Sequence, residues 1–150
     1  MRPTHRDLYS SFVSHDVRYL LIGGAAVIVH GVDRGTLDVD ILIEATPDNA
    51  RRAVQALRDA GLGTAFLLEP DELLGKQIVI LDDWLPVDVQ TATPGIDFAQ
   101  AWERREVMTV DGVPVNVLSL EDLIASKEAA GRPEDLEDVA ALRRIQRGDP

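Results

Sequence analysis

Three aspartates stand where a soluble chain seldom places charge. Asp38 and Asp40 lie in the apolar run LDVDILI, residues 37–43, and Asp88 lies in LPVDVQ, residues 85–90. Side chains on a strand alternate between its two faces, so Asp38 and Asp40 share one face, while Leu37, Val39, Ile41 and Ile43 take the other. Two carboxylates this close raise each other's pKa unless positive charge lies between them. A divalent cation is the economical remedy, and an all-oxygen donor set suits Mg²⁺ or Mn²⁺. Two such ions about 3.5–4 Å apart would clamp the attacking and leaving oxygens of a phosphoryl displacement. A third carboxylate is expected from a neighbouring strand. Asp88, between Val87 and Val89, is the first choice, with Asp83 of the Asp82-Asp83 turn in reserve.

Gly23 and Gly24 follow the apolar stretch YLLI and precede AAVIVHG. Glycines at a strand-to-helix junction let backbone approach a ligand closely, and the free N–H groups of the helix attract phosphate. Alone, a D-x-D pair is most often an exposed strand face, and a glycine pair is ordinary turn chemistry. Together they supply phosphate-binding amides on one segment and metal-binding carboxylates on the next, which equips the chain to handle a nucleoside triphosphate.

Lys127 falls on the stripe of Leu120, Leu123 and Ile124, and one of only two lysines in the chain then faces inward. A triphosphate or the aspartate cluster would satisfy it; the alternative is that it snorkels to the helix edge. Asp135 and Asp138 lie three apart on the last predicted helix. For Asp135 an ion pair with Lys127 or Arg132, joining two helices, competes with a catalytic part, and Asp138 is read as structural. His30 is placed at a helix C-terminus in a structural role, and Trp84 and Trp102 are read as packing residues.

The elements needed to position these residues are legible. Thr4 and Asp7 form a capping pair for a first helix carrying Leu8 and Phe12. Thr46 and Pro47 open a helix ending near Gly61. Residues 62–75 are ambiguous, consistent with a short strand and a turn of helix. Strands are predicted over 19–22, 37–43, 77–81 and 85–90, a helix over 98–104, and a hairpin over 107–110 and 113–118 around Asp111-Gly112. Ser119 and Asp122 start a helix through Ala130, and a last one runs from Pro133 to about Arg147. Intermixed strands and helices give an α/β or α+β class with a small mixed sheet backed by helices. The 150 residues, 45% of them hydrophobic, suit one domain that includes the helical pair over 119–147.

Composition narrows the partners. The chain lacks cysteine, which excludes disulfides and thiolate metal sites and fits a reducing cytoplasm. The longest apolar run, 19–29, is shorter than the roughly 20 residues of a membrane span, and the charged N-terminus is not that of a targeting peptide. A net charge of −11 disfavours extended phosphate-backbone binding, although Arg51, Arg52 and Arg58 on one helix could form a local basic patch.

Gly23-Gly24, thirteen intervening residues, Asp38-Val39-Asp40 and a later PVDVQ together resemble the signature of the polymerase-β-like nucleotidyltransferase superfamily. More narrowly, GGAAVIVHG…R.T.DVDI and DLIASKEAAGRPEDLEDVAAL are similar to small bacterial nucleotidyltransferases related to AbiEii-type toxins and to minimal nucleotidyltransferases. The resemblance spans roughly Tyr19 to Leu142. It implies that Asp38 and Asp40 bind both metals and that Asp88 completes the site and helps activate an acceptor hydroxyl. Gly23 and Gly24 would hold the β- and γ-phosphates, and Arg34 and Thr36 would contact nucleotide or order the loop. The implied reaction moves a nucleoside monophosphate from a triphosphate such as ATP to a hydroxyl and releases pyrophosphate. The acceptor is a partner protein or small molecule in preference to tRNA, and a cognate toxin or antitoxin is a further expected partner. The rival reading is a catalytically silent, antitoxin-like nucleotide-binding module.

Overall fold

The computed structural model describes residues 2–36 and 38–149. Six strands form one mixed sheet in the order β3-β4-β2-β1-β6-β5. The central pair is β1 (Tyr19–Ile22), buried at every position, and β2 (Val39–Ile43), antiparallel to it. The outer strands are β3 (Ile78–Leu81), β4 (Val87–Gln90), β5 (Glu106–Val110) and β6 (Val113–Val117). β4 runs parallel to β2 and β6 parallel to β1, so the sheet's middle is built by crossovers and its two edges by hairpin-like antiparallel pairs.

The connection from β1 to its antiparallel neighbour β2 carries one short helix, α2 (Gly23–Val29), which begins on the residue after the strand. That junction is sharp because Gly23 has φ +65°, a left-handed conformation other residues adopt at a cost. The β5–β6 hairpin closes through Asp111 and Gly112, both at positive φ, as the Asp-Gly pair demands of a two-residue turn.

α1 (His5–Ser14) carries the expected Thr4–Asp7 capping box. α3 (Pro47–Asp59) is capped by Thr46 with Pro47 at its first turn. The Ser11 hydroxyl donates to the Ala56 carbonyl at 2.6 Å, tying these two helices together. The buried Asn49 amide spans the start of β1 and the end of β2: its Oδ1 accepts from Arg18 N–H, and its Nδ2 donates to the Arg18 and Glu44 carbonyls. Val39, Ile41 and Ile43, on one face of β2, are fully buried, while Asp40 lies on the other, where α6 (Leu120–Ala130) and α7 (Pro133–Gln146) border a cavity.

Residues 62–75 contain no strand. They form a 3-10 turn, Gly63–Leu67, and the short α4 (Pro70–Gly75), because alternation is missing there and Pro70 with a Glu69–Glu72 capping box starts a helix. The expected strand over 37–43 begins at Val39, and Leu37 lies outside the described residues. α5 (Phe98–Arg104) is as predicted, and α6 (Leu120–Ala130) and α7 (Pro133–Gln146) form the C-terminal pair. α6 is capped by Ser119 and ends at left-handed Gly131.

Candidate active site

The cavity lies at the end of β1, β2 and β4, has a volume of about 570 Å³, and is bordered by α6 and α7. Every residue expected at a site lines it: Gly23, Gly24, Arg34, Thr36, Asp38, Asp40, Asp88 and Lys127.

Asp40 and Asp88 are direct neighbours in the parallel β2–β4 ladder. Their side chains therefore project from the same face, one strand spacing apart. Burial pushes the Asp40 carboxyl up to about 6, with further contributions from the charge of Asp88, a hydrogen bond shared with Asp88, and Asp38; Lys127 pulls the other way. Burial likewise raises Asp88, opposed by its bond with Asp40 and reinforced by Asp38. Asp38 stands exposed just before the strand.

The glycines make room for this pair. A Cβ on Gly23 would overlap Asp40 Oδ2, and one on Gly24 would press within 3.1 Å of Thr36 Oγ1 and 3.3 Å of an Arg34 Nη. Backbone thus lies against the carboxylates on one side and the Arg34–Thr36 loop on the other.

The cavity's cations are held from behind. Arg34 Nη1 donates to both carboxylate oxygens of Asp138, at 2.7 and 2.6 Å. Lys127 Nζ lies 3.0 Å from Asp138 and 3.3 Å from Asp135, with its side chain only 11% exposed. Arg132 Nε reaches Asp135 at 2.7 Å. Burial alone would raise the Asp135 carboxyl, but its bonds with Arg132 and the charge of Lys127 hold it below the usual range. Asp135 and Asp138 therefore join α6, α7 and the loop before β2 while keeping three cations at the cavity wall. The strand carboxylates are left to face one another.

That leftover charge suits a hard divalent cation: three carboxylates border one wall, and two of them are raised chiefly by burial. Among the described residues no group of three carboxylate or histidine side chains is already placed to hold a metal ion.

The sequence matches, over residues 8–149, the family described as "Nucleotidyltransferase of unknown function (DUF6036)". The chain belongs to this family. Among curated proteins none matches it. Solved structures share the fold at low identity. The lincosamide antibiotic adenylyltransferase LnuA, solved with lincomycin bound, superposes with a TM-score of 0.59 at 16% identity, covering 97% of this chain and 99% of that one. A Thermotoga maritima protein classed as a nucleotidyltransferase gives 0.53 at 17% identity, with 95% and 90% covered. An antigenic nucleotidyltransferase-like protein from Paracoccidioides brasiliensis gives 0.51 at 16% identity, with 95% and 78% covered. The nucleotidyltransferase thus has the polymerase-β-like fold that the sequence resemblance implied.

Other residues singled out in the sequence lie outside the cavity wall. In this nucleotidyltransferase Asp83 is a loop cap: it accepts from the backbone N–H and hydroxyl of Thr64 and from Trp84 N–H, and these bonds hold its carboxyl below the usual range. Of the three arginines of α3, Arg51 pairs with Asp48, Arg52 donates to the Asp16 carbonyl, and Arg58 donates to the carbonyls of Ala65 and Leu68. His30 bonds the Leu118 carbonyl at 2.8 Å, a structural role. Trp102 packs on Phe98 with Arg18 and Arg105 over its ring. Trp84 is not a packing residue of the core; it is 69% exposed, with Arg2 over its ring. The wall residues Gln90, Thr93 and Ser126 had no signal in the sequence, being common polar types brought in by register and loop geometry.

Proposed function

We propose that the chain transfers a nucleoside monophosphate from a triphosphate to the hydroxyl of a small-molecule acceptor, releasing pyrophosphate. The observation that carries this reading is the cross-strand pair Asp40–Asp88, unneutralised and facing the bare backbone of Gly23, while the nearby cations are anchored to α7. Asp38, Asp40 and Asp88 would hold Mg²⁺ or Mn²⁺, which when bound supplies the positive charge needed beside the reacting phosphate.

The chain's own residues divide the remaining work. Gly23 and Gly24 admit the β- and γ-phosphates close to the backbone. Lys127, Arg34 and Arg132 meet the triphosphate's charge, and their buried aspartate partners fix where that charge is met. Thr36 orders the loop beside Gly24. Asp88 accepts the proton of the acceptor hydroxyl as its oxygen bonds to the α-phosphorus. The bond from that phosphorus to the pyrophosphate oxygen breaks, and its electron pair leaves with pyrophosphate.

The net charge of −11 weighs against tRNA as acceptor. The structural likeness to an adenylyltransferase solved with an antibiotic bound supports a small molecule. A toxin or antitoxin partner rests on the sequence resemblance alone, and co-purification with the product of an adjacent gene tests it.

The mechanism is tested by incubating the protein with α-labelled ATP, Mg²⁺ and a fractionated metabolite extract. Label should move to a new small product with the wild type, and Asp40→Ala and Asp38→Ala should each abolish the transfer while keeping the fold by circular dichroism. Unchanged transfer in both variants would sink the assignment. Nucleotide binding without transfer from any fraction would point instead to a silent interaction module.

A further inference from the structure

Sheet register places an apolar ledge beside the carboxylate expected to receive the acceptor's proton. Ile22, Asp40, Asp88 and Ile80 form one cross-strand row, through the pairs Ile22↔Asp40, Asp40↔Asp88 and Ile80↔Asp88. The next row sets Ile78 opposite Gln90. Directly paired residues project from the same face, with Cβ atoms about 5 Å apart. Ile80 and Ile78 thus stand on the reacting face, yet they are 67% and 50% exposed.

Among the described large apolar residues of the sheet only Val107, on the opposite edge strand β5, is comparably exposed, at 61%. Ile78 borders both the active-site cavity and a second hollow of about 500 Å³ that continues past Ile80 beneath Leu67 and Leu68. β3 is the sheet's edge strand, and among the described residues no further strand pairs with its outer side. The charged neighbours are mostly acidic: Asp82 and Glu72 border the hollow with Lys76, and Asp88 closes the ledge on the inner side. Arg34, Lys127 and Arg132 border the active-site cavity but not the hollow.

We propose that Ile78 and Ile80 form the acceptor subsite, and that it takes a small, uncharged or cationic alcohol with an apolar ring or alkyl face beside the reacting hydroxyl. The inference rests on the nucleotidyl-transfer reading and adds the acceptor's chemistry. A ring seated on Ile80 lies one strand spacing from Asp88, within reach for its hydroxyl. A compact molecule meets that spacing, whereas a polyanion would meet acidic groups along the ledge. The bonds made and broken are those of the transfer above: the alcohol oxygen gains the α-phosphorus, its proton passes to Asp88, and pyrophosphate departs.

The test uses the full chain with methyl-labelled isoleucines, titrated with cyclohexanol and, separately, with myo-inositol, the same ring made polar on every carbon. Cyclohexanol should shift the Ile78 and Ile80 δ1-methyl signals and inositol should not. Ile80→Ser should weaken the cyclohexanol response about fivefold or more, because the ring then has less apolar side chain to rest on. Shifts of the Gly23 and Gly24 amides by ATP with Mg²⁺ should be the same in Ile80→Ser as in the wild type. Equal responses to inositol, selective shifts by a CCA trinucleotide, or shifts of these methyls on simple dilution, which would mark a face covered by a second copy, would each overturn the proposal. Loss of the glycine-amide response to nucleotide in the wild type would instead refute the transfer reading beneath it.

Discussion

Asp40 is a residue whose environment works against the chain that carries it. Its folded carboxyl titrates near 6 rather than near 3.8, chiefly through burial and then through Asp88. A raised folded pKa means that the folded state holds the proton more tightly than the unfolded state. The resulting stabilisation is present below about pH 4 and is lost as pH rises through 6. Asp40→Asn should therefore leave unfolding free energy nearly unchanged at pH 4 and raise it at pH 7, by about 1–2 kcal/mol after allowance for solvent screening. Urea titrations of both proteins at the two pH values measure this, and a stability gain confined to low pH would contradict it. Gly23 is the complementary case. Gly23→Ala should cost about 1–2 kcal/mol for its left-handed backbone alone, and more because the new methyl overlaps Asp40. Removing the obstruction with Asp40→Ala should recover part of that loss, seen as a favourable coupling above about 0.5 kcal/mol in a double-mutant cycle.

At the scale of elements, α7 acts through Asp138. Its carboxylate joins Arg34, from the loop before β2, to Lys127 of α6. Asp138→Asn leaves two cations without their shared partner's charge and should destabilise the fold by about 2–4 kcal/mol in urea unfolding. It should also weaken Mg²⁺–nucleotide binding in isothermal titration, because both cations would lose their placement. Unchanged stability would show that Arg34 and Lys127 find other partners. This arrangement is only half legible in the sequence. Lys127 declares itself by lying on an apolar helical stripe, and Asp135 by its spacing from Arg132. The pair Arg34–Asp138 crosses 104 positions and follows from no local pattern. Helices with caps and a glycine or proline stop are legible to within a residue or two because their signals are local. The segment 62–75 is not, since its two short helical turns lack a full period of either pattern. Trp84 escapes for a related reason: an aromatic in a turn gives no sign of whether a neighbouring element will cover it.

At the scale of the molecule, one wall of buried strand residues holds an edge of charge that the fold itself does not neutralise. Such a molecule should gain stability from the ligand that does. Among the described residues no helix is long and apolar enough to cross a membrane, so no helical span complicates a thermal melt. A ligand at a hundredfold excess over its dissociation constant contributes about 2.7 kcal/mol, or roughly 5–10 °C for a chain of this size. The most direct measurement is the melting temperature with Mg²⁺ and ATP together, with each alone, and with both added to Asp40→Ala. The expected result is a rise of that order in the wild type with both present, and a rise of less than about a third of it with either alone or in the variant. Equal melting temperatures under all wild-type conditions, or an equal rise in Asp40→Ala, would contradict a site built on Asp38, Asp40 and Asp88.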